Sequence, residues 1–445
     1  MNRLDLPYQK TGAAFLAARK HALLADEPGL GKTMQAIIAA DKLKVTRILV
    51  VCPAVAREVW RREFTDYSVY EHTINVMDKP TSQPRYGVNI ISYDRAAKET
   101  MLKTLMVMPW DLLILDEGHY LKKTTTARTK AAYGYGKRIG LAHAAKRTWV
   151  LTGTPSPNNP FELYPHIRTL FGEHFKMRDG RPMTAESFKN RYCIVKHNGF
   201  GDQIVGARNL SELKQRLQPH FLRRKKDDVL KDLPPVFESH LYVDAHGALA
   251  EWKELMELDE MISLSQRIVG AKDEKAKEAV LAAIDDTIMR RLRRLLGMAK
   301  VPAIIDWIKD QMDGGTEKLV VFAYHTEVIS MLQKAFPKDA VVISGATSPT
   351  ARTAAVEAFQ HGKAKLFIGQ IQAAGTAITL TAASTLLFAE YSWVPGENEQ
   401  AKDRIRRIGQ KDTCFVRYAV LSNSLDERIL AVIQRKMTDI RKIFN

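Results

Sequence analysis

Short apolar, mostly β-branched runs alternate with helical stretches in two separate blocks of this 445-residue chain. The runs lie at 48–52, 87–91, 111–115 and 148–152 in the first block, and at 318–322, 340–343, 366–368, 385–388 and 415–418 in the second. Each is too short for a buried helix and is bounded by turn or polar residues, so we interpret the runs as buried parallel strands. Strands separated by helical patterns indicate βαβ units. The sequence therefore predicts an α/β protein with two parallel sheets.

The segment between the two blocks differs in composition. From about residue 156 to 300 it is charged and rich in helix-forming residues, and the Pro-Pro pair at 234–235 indicates a boundary. We therefore predict two lobes. The N-terminal lobe covers 1–235, with a helical protrusion from about 156, and the C-terminal lobe covers 236–445, with a helical protrusion to about 300.

Charge and cysteine content narrow the functional classes. The chain has 67 Lys plus Arg against 50 Asp plus Glu, a net charge of +17, and such an excess attracts polyanions such as nucleic acid. Many proteins are basic, so charge alone leaves the partner open. The three cysteines form no CxxC pair, which argues against a zinc finger or disulfide scaffold and is typical of a reducing compartment. Without a signal peptide or an apolar run near 20 residues, we expect an intracellular protein and no membrane partner.

The strongest local motif is the stretch ADEPGLGKT at 25–33, which a helical pattern follows. Gly29 and Gly31 let backbone amides approach phosphate oxygens. Lys32 supplies charge to the β- and γ-phosphates, and the Thr33 hydroxyl can bind Mg²⁺. The motif departs from G-x-x-x-x-G-K-[ST] at its first position, which holds Asp26. It predicts ATP and Mg²⁺ as ligands.

A second carboxylate motif strengthens this prediction. Asp116 and Glu117 follow directly on the run that ends at residue 115. An aspartate at the end of a strand beside a phosphate loop can hold Mg²⁺, and the adjacent glutamate can orient the attacking water. Taken alone, the pair could equally be an exposed turn. Together with Lys32, the two carboxylates predict an ATPase.

Several motifs then resemble those of superfamily-two helicases and translocases: DEGH at 116–119, LTGTP at 151–155 and QAKDRIRRIGQ at 400–410. The last is characteristic of the Swi/Snf-like DNA-dependent ATPases. Segments at 6–9, 52–60, 221–235 and 373–384 are also similar to that family, and the last two, with 388–390 and 393–396, look most like its annealing-helicase (HARP-like) branch. The resemblance spans residues 6 to about 430. It implies two RecA-like parallel-sheet lobes with helical insertions between them.

The resemblance also implies roles for individual residues. It assigns Gln9 to adenine recognition, and an amide can pair bidentately with an adenine edge. Taken alone, Gln9 could equally be a polar residue near a helix start. Arg404 and Arg407, three apart and expected on one face of a helix, would stabilise γ-phosphate charge from the opposite lobe. Gly375 and Gln400 would complete the nucleotide site.

Contacts to the nucleic-acid backbone are implied at Pro53, Tyr93, Ser344 and Thr376. Hydroxyls and free amides suit phosphates and carry no sequence information, so we expect sequence-independent, salt-sensitive binding. The basic run at 223–226 and the arginines at 290–294 could bind further phosphates or form solvated charged faces.

The implied function is that of an ATP- and Mg²⁺-dependent motor, expected to be monomeric, that translocates on double-stranded DNA. Strand annealing or remodelling of forked DNA, in DNA repair or replication, is the expected task. We expect an intracellular, DNA-associated location: the nucleus if the protein is eukaryotic, and the cytoplasm or nucleoid if it is bacterial or viral. Protein–DNA or chromatin remodelling is the alternative within this class. An RNA helicase is disfavoured by the 221–235 and 400–410 segments, and an ATP-gated clamp by the complete set of ATPase residues.

Overall fold

A computed structural model describes residues 6–156, 158–197, 202–244, 286–374 and 378–422, together with 424, 426, 427 and 430. Within this part of the chain, two compact units are distinguished. The first contains the described residues of 1–195 and 204–231, and the second those of 196–203 and 232–437. The functional lobe boundary at residue 235 stays a prediction.

The strands up to residue 222 are β1 (His21–Leu24), β2 (Arg47–Cys52), β3 (Ile74–Val76), β4 (Gly87–Ser92), β5 (Trp110–Asp116), β6 (Ala145–Leu151), β7 (Cys193–His197), β8 (Asp202–Ala207) and β9 (Phe221–Leu222). Seven of them form one parallel sheet in the order β3-β4-β2-β5-β6-β1-β9. Strands β7 and β8 pair with each other. The order places β5, β6 and β1 side by side, so the segments that follow these strands lie at one edge of the sheet.

The sheet is buried on both faces, because its apolar runs are continuous rather than alternating. In β2, Leu49 and Val51 join one core cluster, whereas Ile48 and Val50 join the other. The covering α-helices are α1 (Pro7–Ala17), α2 (Lys32–Leu43), α3 (Arg57–Tyr67), α4 (Tyr93–Ala96), α5 (Glu99–Val107), α6 (Ala127–Tyr133), α7 (Tyr164–Leu170), α8 (Ala185–Tyr192), α9 (Leu210–Leu217) and α10 (Lys226–Val229). The segment 156–235 is therefore less helical than predicted, since β7, β8 and β9 interrupt its short helices.

The second unit is built on a six-stranded parallel sheet. Its strands are β10 (Val236–Val243), β11 (Leu319–Ala323), β12 (Ala340–Ile343), β13 (Leu366–Gln370), β14 (Thr385–Phe388) and β15 (Cys414–Leu421), in the order β10-β15-β14-β11-β13-β12. Its helices are α11 (Asp286–Asp313), α12 (Thr326–Ala335), α13 (Pro349–Gln360), α14 (Ile371–Ala374) and α15 (Pro395–Lys402). Most of the protrusion predicted before residue 300 lies outside the described residues.

The predicted fold class is confirmed: two parallel sheets, each covered by helices, are built from the two blocks of apolar runs. Strands β1, β3 and β7 to β10 were not among the predicted runs. The residues of β10 are mostly exposed, so they lack the apolar continuity on which the prediction depended. Among the described helices, none combines the length and apolarity needed to cross a bilayer.

Candidate nucleotide-binding site

Three of the predicted motifs meet at one edge of the first sheet. The phosphate loop follows β1, Asp116 is the last residue of β5, and Thr152 follows β6. Because these parallel strands are neighbours, their carboxyl ends open onto the same crevice, where ligands of α/β sheets bind.

The phosphate loop has the backbone that its glycines permit. Gly29 and Gly31 have φ values of 89° and 70°, in the left-handed region that favours glycine. A Cβ on Gly31 would lie 2.4 Å from Nε2 of Gln9, so the Gln9 side chain packs directly against the loop. Lys32 begins α2, and its Nζ donates a hydrogen bond of 2.8 Å to the carbonyl oxygen of Asp26. The site thus combines a lysine with the partial positive charge of a helix N-terminus.

A buried ion pair explains why Asp26 stands where the motif usually has glycine. Asp26 is fully buried, and its Oδ1 accepts hydrogen bonds of 3.0 Å from both the backbone N and Nε of Arg224. Its Oδ2 accepts a further bond of 3.0 Å from Nε2 of Gln35. The guanidinium of Arg224 also lies over the Tyr8 ring, 5.3 Å from its centre. Asp26 therefore anchors the phosphate loop to the segment that begins with β9.

The basic run 223–226 makes further contacts to this loop. Arg223 donates from Nη1 to the carbonyl oxygens of Ala25 at 3.1 Å and Gly153 at 3.0 Å. The backbone N of Lys226 donates to Oε2 of Glu27 at 2.9 Å, and its side chain is buried. Neither reading of the run, a phosphate-binding or a solvated face, is correct for Lys226 or for Arg224. The sequence did not predict these contacts, because the partners Asp26 and Glu27 lie about 200 positions away.

Asp116 is held by its neighbours at the end of β5. Its Oδ2 accepts a hydrogen bond of 2.8 Å from Nε1 of Trp60, and its Oδ1 accepts one of 3.0 Å from the backbone N of Glu117. Burial, and then the charge of Glu117, raise the pKa of Asp116 to about 7, whereas the Trp60 bond and the charge of Lys32 lower it. The structure therefore brings Lys32, Asp116 and Glu117 together.

Glu117 connects Asp116 to the segment after β6. It has a φ of 50°, which is uncommon for a residue with a side chain. Its Oε2 lies 3.2 Å from Nδ1 of His119, and that nitrogen lies 3.3 Å from Oγ1 of Thr152. A Cβ on Gly153 would lie 2.6 Å from Cγ of Pro28 in the phosphate loop. The motif at 151–155 thus contacts both other motifs, which adjacency in the sheet makes possible.

The arginine motif lies in the second unit, and one prediction about it is wrong. Arg404 and Arg407 do not share a helix, because α15 ends at Lys402. Nε of Arg404 donates to the carbonyl oxygen of Gln400 at 2.8 Å. The backbone N of Arg404 donates instead to the carbonyl oxygen of Ala401 at 3.1 Å. The side chain thus occupies the acceptor that a continuing helix would use.

The two guanidinium groups nevertheless converge. Nη1 of Arg404 and Nη1 of Arg407 donate to the carbonyl oxygen of Ile378 at 3.2 and 3.4 Å. Gln400 and Arg404 are buried. Gln410, the last residue of the motif at 400–410, donates from Nε2 to the carbonyl oxygens of Ala383 at 2.8 Å and Ile405 at 3.1 Å. Gly375 lies outside the described residues.

The four residues predicted to contact nucleic acid differ in their burial and in whether the structure describes them. Tyr93 is buried, and its hydroxyl donates a hydrogen bond of 2.8 Å to the carbonyl oxygen of Asp116. Its ring packs in the core and its hydroxyl supports the nucleotide site, and the nucleic-acid contact at Tyr93 stays a prediction. Pro53 is also buried, Ser344 is half-buried after β12, and both stay predictions. Thr376 lies outside the described residues.

Comparison with known families identifies the family to which the chain belongs. Residues 8–295 match the SNF2-related domain, and residues 299–409 match the helicase conserved C-terminal domain. The chain belongs to the SNF2-related family. The resemblance inferred from the motifs is confirmed, and with it the class of helicase-type ATP hydrolase.

Two similar proteins and one similar structure extend the comparison. The SNF2-family chain is 32% identical over 443 residues to SWI/SNF-related matrix-associated actin-dependent regulator of chromatin subfamily A-like protein 1 of Xenopus tropicalis, covering 97% of this chain and 44% of that protein. It is 32% identical over 448 residues to DNA annealing helicase and endonuclease ZRANB3 of Mus musculus, covering 97% of this chain and 40% of that protein. A Sulfolobus solfataricus SWI2/SNF2 ATPase core in complex with dsDNA is similar with a TM-score of 0.44 and 23% identity, covering 99% and 92% of the two chains. The chain spans less than half the length of the two relatives.

Proposed function

We propose that this SNF2-family chain is an ATP- and Mg²⁺-dependent motor that translocates on double-stranded DNA. The observation that carries the proposal is the convergence of Lys32, Asp116 and Glu117 at the ends of β1 and β5. A lysine on a helix N-terminus binds phosphate, and a carboxylate pair beside it can support hydrolysis.

The residues suit Mg²⁺ bound together with ATP. Among the described residues, no group of three or more His, Cys, Asp or Glu side chains could hold a metal alone. The Thr33 hydroxyl and Asp116 carboxylate are nevertheless the oxygen donors that Mg²⁺ uses beside nucleotide phosphates. When bound, Mg²⁺ would neutralise phosphate charge. Lys32 would bind the β- and γ-phosphates, Gln9 the adenine, and Glu117 would orient the attacking water.

The contacts of Glu117 suggest how hydrolysis couples to movement. His119 lies between Glu117 and Thr152, so a change of the γ-phosphate that shifts Glu117 would reach the segment after β6. For Arg404, Arg407, Gln400 and Gly375 we propose the nucleotide-binding roles that the family resemblance implies. Alternate gripping and release of DNA by lobes 1–235 and 236–445 would then follow ATP turnover.

The names of the relatives support DNA as the substrate. One is called a DNA annealing helicase, and this favours annealing or remodelling of forked DNA, in DNA repair or replication, by a DNA-associated monomer. The other is called a regulator of chromatin, which favours protein–DNA remodelling as the second candidate. Because the chain spans less than half of either protein, both tasks are proposals for this chain.

The experiment is ATP hydrolysis by the purified full chain, alone and with blunt duplex DNA, forked DNA, single-stranded DNA or RNA. Lys32→Ala is the inactive variant, and Lys42→Ala, an exposed lysine on the same helix, is the matched control. We expect duplex or forked DNA to stimulate hydrolysis by the wild type and the Lys42 variant only. Stimulation by RNA alone would contradict DNA as the substrate. Hydrolysis that no nucleic acid stimulates would contradict the proposal of a nucleic-acid motor.

A further inference from the structure

A basic cavity lies in the first unit, formed by residues that the nucleotide site does not use. Its volume is about 660 Å³, within the range of small-ligand clefts. Five of its lining side chains are cationic: Lys176, Arg178, Arg191, Arg208 and Arg216. None of the described residues that line it is acidic. We call this site the basic cavity.

One carboxylate fixes two of these arginines in place. Glu212, which does not line the cavity, lies 2.7 Å from Nη2 of Arg191 and 2.8 Å from Nε of Arg216. Nη1 of Arg216 also donates to the carbonyl oxygen of Lys176 at 3.2 Å. The wall is therefore preorganised, and an arginine held in this way loses little entropy when it binds an anion.

The other three cations, Lys176, Arg178 and Arg208, are exposed at the cavity. Lys176 and Arg178 belong to a tight turn closed by the backbone N of Met177, which donates to the carbonyl oxygen of Arg181 at 2.8 Å. Arg208 bonds through its guanidinium to the carbonyl oxygen of Asn190. With Glu212 counted against the five cations, an excess of four positive charges surrounds the cavity.

We propose that the basic cavity binds backbone phosphates of DNA, as a contact of the first unit separate from the predicted positions at Pro53 and Tyr93. Guanidinium groups match phosphate oxygens bidentately, and the positive charge of the lining outweighs the single neighbouring carboxylate of Glu212. Phosphate contacts position a protein on a duplex without reading its sequence, as a translocating motor requires. The inference rests on the proposed function, which supplies DNA as the phosphate source.

The test is the salt dependence of duplex binding by the full chain. The cavity variant carries Lys176→Gln, Arg178→Gln and Arg208→Gln. The control carries Lys42→Gln, Lys44→Gln and Lys103→Gln, three exposed lysines outside the cavity. We expect the slope of log K against log salt to become shallower by about 2 to 3 in the cavity variant and to stay near wild type in the control, because each lost phosphate contact removes about 0.9. Melting temperatures verify that both variants fold.

Titration with inorganic pyrophosphate identifies the source of the phosphate. We expect the wild type and the cavity variant to bind pyrophosphate equally, because the cavity binds phosphates of DNA. Pyrophosphate binding abolished in the cavity variant, with an unchanged DNA slope, would overturn DNA as the ligand in favour of a small polyphosphate. An unchanged slope without such binding would overturn the site. If the wild type binds no DNA, the proposed function and the DNA contact at the cavity both fail, whereas an unchanged slope in a chain whose ATP hydrolysis duplex DNA still stimulates overturns the cavity contact alone.

Discussion

The indole Nε1 of Trp60 donates a hydrogen bond of 2.8 Å to Oδ2 of Asp116, although the two residues are 56 positions apart. This bond orients the carboxylate that the proposed mechanism places beside Mg²⁺. It also favours the charged form of a buried acid whose pKa burial raises. Trp60 is therefore a positioning residue of the nucleotide site.

Trp60→Phe should lower kcat/KM for ATP about 10- to 150-fold, because a hydrogen bond to a charged group contributes about 1.5 to 3 kcal/mol. The matched control is Trp110→Phe, which also removes a buried indole and its hydrogen bond of 2.9 Å to Leu105. Both variants should melt at a lower temperature, but only the Trp60 variant should lose activity beyond its loss of folded protein. Equal losses of activity per folded molecule would show that Trp60 acts only in packing.

Arg224→Gln should destabilise the first unit by about 3 to 5 kcal/mol, because it leaves the buried Asp26 carboxylate without its charged partner. The double variant Asp26→Asn, Arg224→Gln should recover part of that loss. Arg61→Gln, which breaks an exposed ion pair to Glu58, is the control and should melt near wild type, because solvent screens such pairs. Thermal unfolding measures all three. A double variant no more stable than Arg224→Gln would contradict the coupling.

The first unit should lose stability between pH 7 and pH 5 through His166. Burial lowers the pKa of this histidine to about 4, so the folded state keeps it neutral while the unfolded chain takes up a proton below about pH 6.5. The loss should be about 2 kcal/mol between these pH values. His166→Gln should show a smaller fall in melting temperature over that interval than wild type. Parallel melting curves for the two proteins would exclude this contribution.

Arg404 and Arg407 should behave differently when replaced by lysine. Arg404 is buried and donates to the carbonyl oxygens of Gln400 and Ile378, and a lysine cannot reproduce both bonds, so Arg404→Lys should lower the melting temperature. Arg407→Lys should melt near wild type but lose about 10³-fold in DNA-stimulated kcat, as expected of an arginine that stabilises the transition state. A wild-type kcat in Arg407→Lys would remove it from the mechanism.

Local sequence predicted the phosphate loop because the residues that form it are contiguous in the chain. Gly29, Gly31 and Lys32 need only their neighbours to form a turn and begin a helix, and the same holds for Asp116 and Glu117 at the end of a strand. The placement of Arg404 and Arg407 on one helix was predicted wrongly because it was inferred from their spacing in the sequence alone. Spacing alone indicates a shared helical face, but a side-chain bond to Gln400 ends the helix first.

The repeated alternation of apolar runs and helical stretches determined by itself that this chain forms two parallel sheets, since strands buried on both faces require that pattern. Tertiary structure alone decided which distant side chains complete the site. Asp26 pairs with Arg224 across 198 positions, and Asp116, at the end of β5, accepts a hydrogen bond from the indole of Trp60 on α3. Such partners are selected by the order of strands in the sheet and by the burial of a charge that must be neutralised. Neither condition leaves a periodic signal along the chain.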